Sequence, residues 1–294
     1  MKLANSPHVL IAIMGLTKFL GRYSARLAGV PAYLLWFIPW TVPVSDRARQ
    51  KQAGWLAETQ PFVVRTSVGR VSGFTAGDGP PVMLIHGLGE RAAGLGGFIA
   101  PLTEAGFTAV GVDLPGHGGS SGQLTNPIIA AVAVREVADH FGGAHAVIAH
   151  SLGACAALWA IKDGLIVKRA VLIAPTVDMK YSMDTFQAGF GLPPKAIAGL
   201  KRKIERRYGP TIWHDLGGEH LVTYSDMPGL VIHDPDDPQV PFAGSRRLER
   251  VWTGSTLIEA PGLGHGAITR DLSVIEQAVT FVSEPARSLG MSPT

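Results

Sequence analysis

The sequence has a single cysteine, Cys155, and this scarcity excludes two kinds of structure. One thiol can neither form an internal disulfide nor build a cysteine-rich metal site. Cys155 follows Ser151 by four positions in an alanine-rich helical pattern. We therefore predict that Cys155 is a small buried core residue and not a reactive thiol.

Charged residues are also scarce, at 17% of the 294 residues. Such a composition excludes a disordered acidic or basic tail and a long coiled coil. The formal net charge is only +3, and basic residues are not interleaved with aromatic ones as in a nucleic-acid groove. We expect no nucleic-acid partner.

An uninterrupted membrane span is the third missing feature. The run Leu27–Ser45 is uncharged and long enough to cross a bilayer. Pro31, Pro39 and Pro43 interrupt it, and each proline removes a backbone donor that lipid cannot replace.

Three interpretations of the N-terminal leader, residues 1–60, stay open. It docks on the apolar surface of the domain, it lies in a membrane interface through Trp36, Phe37 and Trp40, or it is an export or anchoring signal. We expect a cytoplasmic location, with peripheral membrane contact through this segment as the alternative.

From residue 61 onward, short apolar runs of strand length alternate with amphipathic helical patterns. The first two strands form an antiparallel pair that turns at Ser67–Gly69. The later strands are apolar on both faces, which indicates a mainly parallel, doubly wound α/β sheet covered by helices. The predicted core comprises residues 61–175 and 227–294, and residues 176–226 form an insertion.

Four predicted strands end in loops that carry chemically active side chains: "HGLGE", "AHSLG", "HDPDDPQVP" and "PGLGHG". In a parallel sheet, functional residues collect at the carboxyl ends of the strands, where the crossovers leave a crevice. We expect these loops to meet at one edge of the sheet.

Ser151 stands between an apolar strand pattern and a helical one, with Ala149 and Gly153 two places on either side. A sharp strand-to-helix turn exposes a hydroxyl at the cost of backbone strain, and the close approach of strand and helix requires small neighbours. We predict that Ser151 is a nucleophile.

A serine nucleophile needs a base and a group that orients the base. His265 lies in the loop after the last predicted strand and is the candidate base. Several aspartates that follow strands could accept a hydrogen bond from its imidazole: Asp237, Asp234, Asp236 and Asp178.

The "HGLGE" loop, residues 86–90, supplies donors for an oxyanion, because its glycines let the backbone turn N–H groups inward. We assign the oxyanion hole to the backbone amides of Leu88 and Leu152. The loop lacks the lysine of a phosphate-binding loop and the spacing of a dinucleotide fingerprint.

Together these segments resemble the α/β-hydrolases, specifically the serine hydrolases of the esterase, lipase and monoacylglycerol lipase-like group. The resemblance extends from residue 61 to the C-terminal helix and keeps the chain order of serine, acid and histidine. The family pattern His-x-x-x-Asp-x-x-Val-Pro places the acid at Asp237. The resemblance also implies that His86, Asp113 and His117 shape loops, and that no metal or organic cofactor is needed.

The same resemblance implies that residues 176–226 form a helical lid over the active site. We assign substrate contacts to four residues: His150, Met183, Phe186 and Phe190. The segment Pro193–Gly209 has an apolar helical face and a basic remainder. The basic part is either a solvated outer face or a cationic surface for anionic lipid headgroups or acidic substrates.

The predicted function is hydrolysis of a small-molecule carboxylic ester, with an apolar acyl group, through an acyl-enzyme on Ser151. The same triad could cleave amide or carbon–carbon bonds or transfer acyl groups, since the triad sets the mechanism and the pocket sets the bond. A catalytically silent ligand-binding homologue and a membrane-attached lipid hydrolase are further alternatives.

Overall fold

A computed structural model describes residues 6–41, 44–224 and 226–285. Within them one eight-stranded sheet has the order β1-β2-β4-β3-β5-β6-β7-β8. The strands are β1 (Gln60–Thr66), β2 (Gly69–Ala76), β3 (Pro81–Ile85), β4 (Thr108–Val112), β5 (Ala146–His150), β6 (Arg169–Ile173), β7 (Gly229–His233) and β8 (Ser255–Glu259).

The sheet is mainly parallel, as the sequence predicts. β1 and β2 form the expected antiparallel hairpin, and β2 also pairs antiparallel with β4. All other neighbouring strands are parallel. The carboxyl ends of β3 to β8 therefore meet at one edge.

Helices cover both faces of this sheet. They are α1 (Pro7–Tyr23), α2 (Ala25–Phe37), α3 (Asp46–Leu56), α4 (Ile99–Glu104), α5 (Pro127–His140), α6 (Leu152–Lys162), α7 (Met179–Phe190), α8 (Pro194–Tyr208), α9 (Ile212–Asp215), α10 (Gly218–Leu221), α11 (Phe242–Val251), α12 (Gly264–Ala267) and α13 (Leu272–Ser283). Short 3₁₀ segments occupy Ala92–Phe98, Val222–Tyr224 and Ile268–Arg270.

Alternation along β3 shows how the two faces are buried. Met83 and Ile85 pack in the cluster that contains α5 and α6. Val82 and Leu84 pack in the opposite cluster with α4 and α13. A strand buried on both faces cannot alternate polar and apolar residues, which is why the sequence shows a continuous apolar run.

The insertion between β6 and β7 is helical and consists of α7 to α10 and the 3₁₀ turn Val222–Tyr224. Its longest helix, α8, crosses α2 of the N-terminal region at Gly29 and Gly199. A Cβ atom at Gly29 would lie 2.7 Å from the Gly199 backbone, so the crossing requires glycine. The insertion and the leader thus form one layer.

The leader is helical, which the prolines of the sequence did not indicate. Pro31 lies inside α2 and is buried, although a proline there removes one backbone hydrogen bond. Ala28, Ala32 and Leu35 are fully buried, and their burial offsets that loss. The leader therefore docks on the domain. Over the described residues, every helix is too short or too polar to cross a membrane.

Candidate active site

Ser151 is the single residue that joins β5 to α6. Its backbone has φ 52° and ψ −120°, a strained conformation for a residue with a side chain. A Cβ atom at Gly153 would lie 2.5 Å from the carbonyl oxygen of His86 and 2.6 Å from that of Ile85. Glycine at this position therefore lets α6 approach β3 and leaves the serine hydroxyl at the end of the sheet.

Three side chains from separate loops are connected by two consecutive hydrogen bonds at this edge of the sheet. The Ser151 hydroxyl can donate to Nε2 of His265 over 3.0 Å. Nδ1 of His265 then donates to Oδ2 of Asp237 over 2.7 Å. This is the geometry in which an imidazole can remove a proton from serine while a carboxylate holds the ring.

The side chain of Asp237 is fully buried and is surrounded by donors. Burial raises the pKa of its carboxyl, but hydrogen bonds from His233 and His265 and from the amides of Gln239 and Val240 hold that pKa well below its usual range. The carboxylate therefore stays ionised and fixes the His265 ring with Nδ1 protonated.

His233 also contacts the Asp237 carboxylate, although the sequence had predicted no role for this histidine. Its Nε2 donates to Asp237 Oδ2 over 3.2 Å, and its Nδ1 lies 2.7 Å from the Ser245 hydroxyl. The sequence does contain a signal for this contact. His233 and Asp237 are four residues apart, and both stand at the carboxyl end of β7.

The rival aspartates bind other groups. Oδ1 and Oδ2 of Asp234 accept from the amides of Asp236 and Gly264, so Asp234 ties its own loop to the histidine loop. Asp236 is exposed. Asp178 caps α7 and lies 3.3 Å from Arg247. The structure brings Asp237, and none of these three, to His265.

The amides assigned to the oxyanion hole belong to Leu88 and Leu152, and both residues line the cavity in front of Ser151. Neither amide donates to an acceptor within the described residues. A Cβ atom at Gly87 would lie 3.0 Å from that of Ser151, so the "HGLGE" loop runs against the serine turn. The assignment of these donors stays a prediction.

The three residues that the resemblance assigned to loop structure, His86, Asp113 and His117, accept hydrogen bonds from backbone amides. Nε2 of His86 accepts from the Leu114 amide over 3.0 Å, and Nε2 of His117 accepts from the Gly89 amide over 2.9 Å. Asp113 accepts from the amides of Ala92 and Gly119. Burial lowers the pKa of His86, which keeps it neutral and able to accept.

His150, the residue before Ser151, is almost fully buried. Its Nδ1 lies 3.0 Å from Glu90 Oε2 and its Nε2 lies 2.9 Å from the carbonyl oxygen of His265. Burial lowers the pKa of His150, but the Glu90 carboxylate and the His265 carbonyl outweigh burial and raise it. Both ring nitrogens are engaged, so neither is free to bind substrate.

A cavity of about 1480 Å³ opens over Ser151. Phe186 and Phe190 line it, in agreement with the expected apolar wall. Met183 does not line it: this side chain is fully buried and belongs to the hydrophobic core. The placement of Met183 in the acyl pocket is therefore wrong, because α7 turns that side chain away from the cavity.

Aromatic residues of the leader form the other part of the apolar wall. Trp36 packs edge-on against Phe186 with ring centroids 4.9 Å apart, and Trp40 lies 4.8 Å from Phe190. Phe37 is buried. These are the side chains that the membrane interpretation assigned to lipid, and the structure places them against the cavity and the core.

Two further features could have a chemical role: the thiol of Cys155 and a cluster of potential metal ligands. Cys155 is buried, and burial raises the pKa of its thiol to about 12, so it is the expected core residue. In the described part of the chain, one cluster could hold a metal ion: His214, Asp215 and His220, with ligand atoms within 4.8 Å of one another. None of the three lines the cavity.

Comparisons with known proteins agree on the fold. A family model described as "alpha/beta hydrolase fold" matches residues 80–193. No curated protein matches the chain in sequence. Among solved structures, the ferulic acid complex of Est1E from Butyrivibrio proteoclasticus is 17% identical and aligns with a TM-score of 0.61, covering 76% of this chain and 100% of that one.

Two other solved structures are similar to the same extent. Naproxen esterase (carboxylesterase NP) from Bacillus subtilis is 16% identical, with a TM-score of 0.57 over 81% of this chain and 99% of that one. Bromoperoxidase from Bacillus anthracis is 16% identical, with a TM-score of 0.58 over 76% of this chain and 100% of that one.

This chain is an α/β-hydrolase-fold protein. Identities this low establish the fold alone, and a bromoperoxidase with the same fold shows that the fold does not set the reaction. The reaction depends on the side chains at the site.

Proposed function

We propose that this protein is a serine hydrolase that cleaves carboxylic esters through an acyl-enzyme on Ser151. The observation that carries the proposal is the continuous hydrogen-bond series from the Ser151 hydroxyl through His265 to Asp237, with distances of 3.0 and 2.7 Å.

Acylation begins when Oγ of Ser151 attacks the ester carbonyl carbon and Nε2 of His265 takes the hydroxyl proton. The carbonyl oxygen becomes an oxyanion, which the amides of Leu88 and Leu152 stabilise. The imidazolium of His265 then gives its Nε2 proton to the departing alkoxide, and the C–O bond breaks. The alcohol leaves and the acyl group stays on Ser151.

Deacylation repeats these steps with water as the nucleophile. His265 takes a proton from water, the hydroxide oxygen bonds to the acyl carbon, and the bond to Ser151 Oγ breaks as Oγ regains the proton. The products are a carboxylic acid and the free enzyme. Asp237 remains ionised throughout because its carboxylate has four hydrogen-bond donors.

The cavity supports an apolar substrate group. Its aromatic wall consists of Trp36, Trp40, Phe186 and Phe190, and Ser151 lines the same cavity of about 1480 Å³. A pocket of this size and lining binds an extended or bulky acyl group better than an acetyl group, because more apolar surface leaves water.

The test combines a fluorophosphonate probe with p-nitrophenyl esters of graded acyl length. We expect the probe to label the wild-type protein at Ser151 and not Ser151→Ala, and kcat/KM to rise with acyl length. Full esterase activity in purified Ser151→Ala would disprove the proposal.

Amides and diketones in the same panel separate the other uses of the triad. If diketones or amides are cleaved and esters are not, the mechanism stands and the bond is different. Labelling of Ser151 without turnover of any substrate would instead indicate a ligand-binding protein.

A further inference from the structure

The outer face of the N-terminal helices carries an unusual set of exposed apolar side chains. Six large ones are at least half exposed: Ile11, Leu16, Phe19, Tyr23, Leu27 and Val30. The helical spacing of the first four places them on one side of α1. Single exposed apolar residues are common, but a contiguous group on a helix already docked by its other side marks a binding surface.

The side of α1 that docks on the protein combines small and large residues. Leu10, Thr17 and Gly21 are buried, and a Cβ atom at Gly21 would lie 3.1 Å from Ala196 at the start of α8. Buried Leu10 and the partly buried Ile13 and Met14 pack on the protein, while the exposed set of α1 lies in solvent. The helix thus has large apolar side chains on both sides. An ordinary surface helix has polar residues on its outer side, so the large apolar residues exposed on α1 are unusual.

The same layer concentrates positive charge. Helices α1, α2 and α8 together carry nine Lys and Arg residues and one acidic residue, Glu205, although the whole chain has a net charge of +3. The first acidic residue in the sequence is Asp46. The remaining 17 basic and 22 acidic residues make the rest of the chain net negative.

Four of these cations line a groove between α2 and α8, next to the exposed side chain of Val30: Arg26, Arg202, Lys203 and Arg206. The groove has a volume of about 500 Å³. Within the described residues none of the four forms an ion pair with a carboxylate. The one acid at the groove, Glu205, accepts a hydrogen bond from Trp213.

We propose that this lipid-facing surface, consisting of the exposed apolar side chains of α1 and α2 and the cationic groove between α2 and α8, docks on an anionic phospholipid bilayer. Apolar side chains of an interfacial helix enter the boundary between headgroups and acyl chains. Cations beside them bind lipid phosphates, and each adds to the attraction of an anionic leaflet.

The proposal does not depend on ester hydrolysis, since binding to a bilayer needs no turnover. It does relate the surface to the cavity, because α2, whose Leu27 and Val30 face outward, also supplies Trp36 to the cavity wall. A bound membrane would therefore lie one helix away from the cavity that contains Ser151.

A second copy of the chain fits this surface less well. A symmetric dimer through the face would place the same cations opposite one another, and no acidic residue of α1 or α2 could pair with them. A bilayer offers apolar depth and negative charge at the same contact, which matches both halves of the surface.

Vesicle flotation of the full chain tests the proposal. Phosphatidylcholine vesicles with and without phosphatidylglycerol are mixed with the protein at low and high salt. We expect the wild type to float with the phosphatidylglycerol vesicles, less with phosphatidylcholine alone, and less at high salt because salt screens the exposed cations.

Two double variants separate the halves of the surface. We expect Phe19→Ser with Tyr23→Ser to abolish detectable flotation, since two anchors leave the bilayer. Arg26→Gln with Arg206→Gln should weaken binding to the anionic vesicles by roughly twentyfold or more, at about fivefold for each cation. Binding to neutral vesicles should change little in that variant.

Matched controls come from elsewhere on the surface. Ile166→Ser removes an exposed apolar residue, and Arg65→Gln with Arg70→Gln removes two exposed cations of the hairpin. Melting temperatures show whether each variant folds. The proposal is overturned if folded wild type does not float with either vesicle, if the controls lose as much binding as the test variants, or if light scattering without lipid shows a dimer that Phe19→Ser with Tyr23→Ser dissociates.

Discussion

Nδ1 of His150 lies 3.0 Å from the carboxylate of Glu90, within hydrogen-bond distance. Both ring nitrogens of His150 face acceptors, because Nε2 lies 2.9 Å from the carbonyl of His265. Only the imidazolium can donate to both acceptors, so His150 carries a positive charge beside Ser151 and is paired with the Glu90 carboxylate. Glu90 also accepts from the Gly87 amide over 2.8 Å. One ion pair thus joins the "HGLGE" loop, the turn at Ser151 and the loop of His265.

The stability that this ion pair contributes decreases both at high pH, where His150 loses its proton, and at low pH, where Glu90 gains one. Although burial opposes it, the pKa of His150 is raised above 6.5, so its contribution is full below pH 6.5 and is lost as pH rises through the folded value. The pKa of Glu90 is lowered from 4.5 by His150 and the Gly87 amide against the effect of burial, so its contribution is full above pH 4.5 and is lost as pH falls.

We therefore expect Glu90→Gln to lower the melting temperature most between about pH 4.5 and 6.5, where both charges are present. Thermal unfolding of wild type and variant across this range measures the difference. The matched control is Glu58→Gln, an exposed glutamate. A difference that does not vary with pH would show that the pair is not ionised.

Asp237 and Asp234 stand three residues apart, and their carboxylates have different hydrogen-bond partners. We expect Asp237→Asn to lower kcat by about 10⁴-fold, since the amide favours the wrong tautomer of the base. Asp234→Asn should cost far less, because Asp234 bonds to backbone amides of Asp236 and Gly264 and not to His265. Steady-state kinetics on one p-nitrophenyl ester compares the two variants, and equal losses would contradict the assignment.

His233 acts through Asp237, so its loss should affect the pH profile more than substrate binding. We expect His233→Ala to raise the pKa of the Asp237 carboxyl, because a donor to the charged form is removed. The acid limb of kcat should move to higher pH while KM changes little. Ser245→Ala, which removes the partner of the other His233 nitrogen, should produce a smaller shift in the same direction.

Gly153 permits the close contact of α6 with β3. We expect Gly153→Ala to reduce unfolding free energy by about 1–3 kcal/mol and to abolish labelling of Ser151, since the new methyl group would meet two backbone carbonyls. Gly54→Ala is the control, because a Cβ atom there meets nothing within 4 Å and helix propensity favours alanine. Unfolding in urea and probe labelling check both variants.

The sequence predicts those features of the site whose residues are close together in the chain, and it misses those whose residues are far apart. The serine turn follows from local pattern, since strand, small neighbours and helix lie within "AHSLG". The choice of Asp237 among four aspartates needed the resemblance. The hydrogen bonds of His150 and His233 were not predicted, because their partners are distant in the sequence. His150 is 60 residues from Glu90 and 115 from His265, and His233 is 12 from Ser245.

The sequence alone determined the alternation of strands and helices, and with it the mainly parallel sheet, because apolar periodicity is a local property of the chain. Tertiary structure alone decided the rest. It put Trp36 and Trp40 into the cavity and left Phe19 and Tyr23 outside, since the side of a helix that is buried depends on the surface it meets. A leader rich in apolar residues on all sides carries no local signal of which side that is.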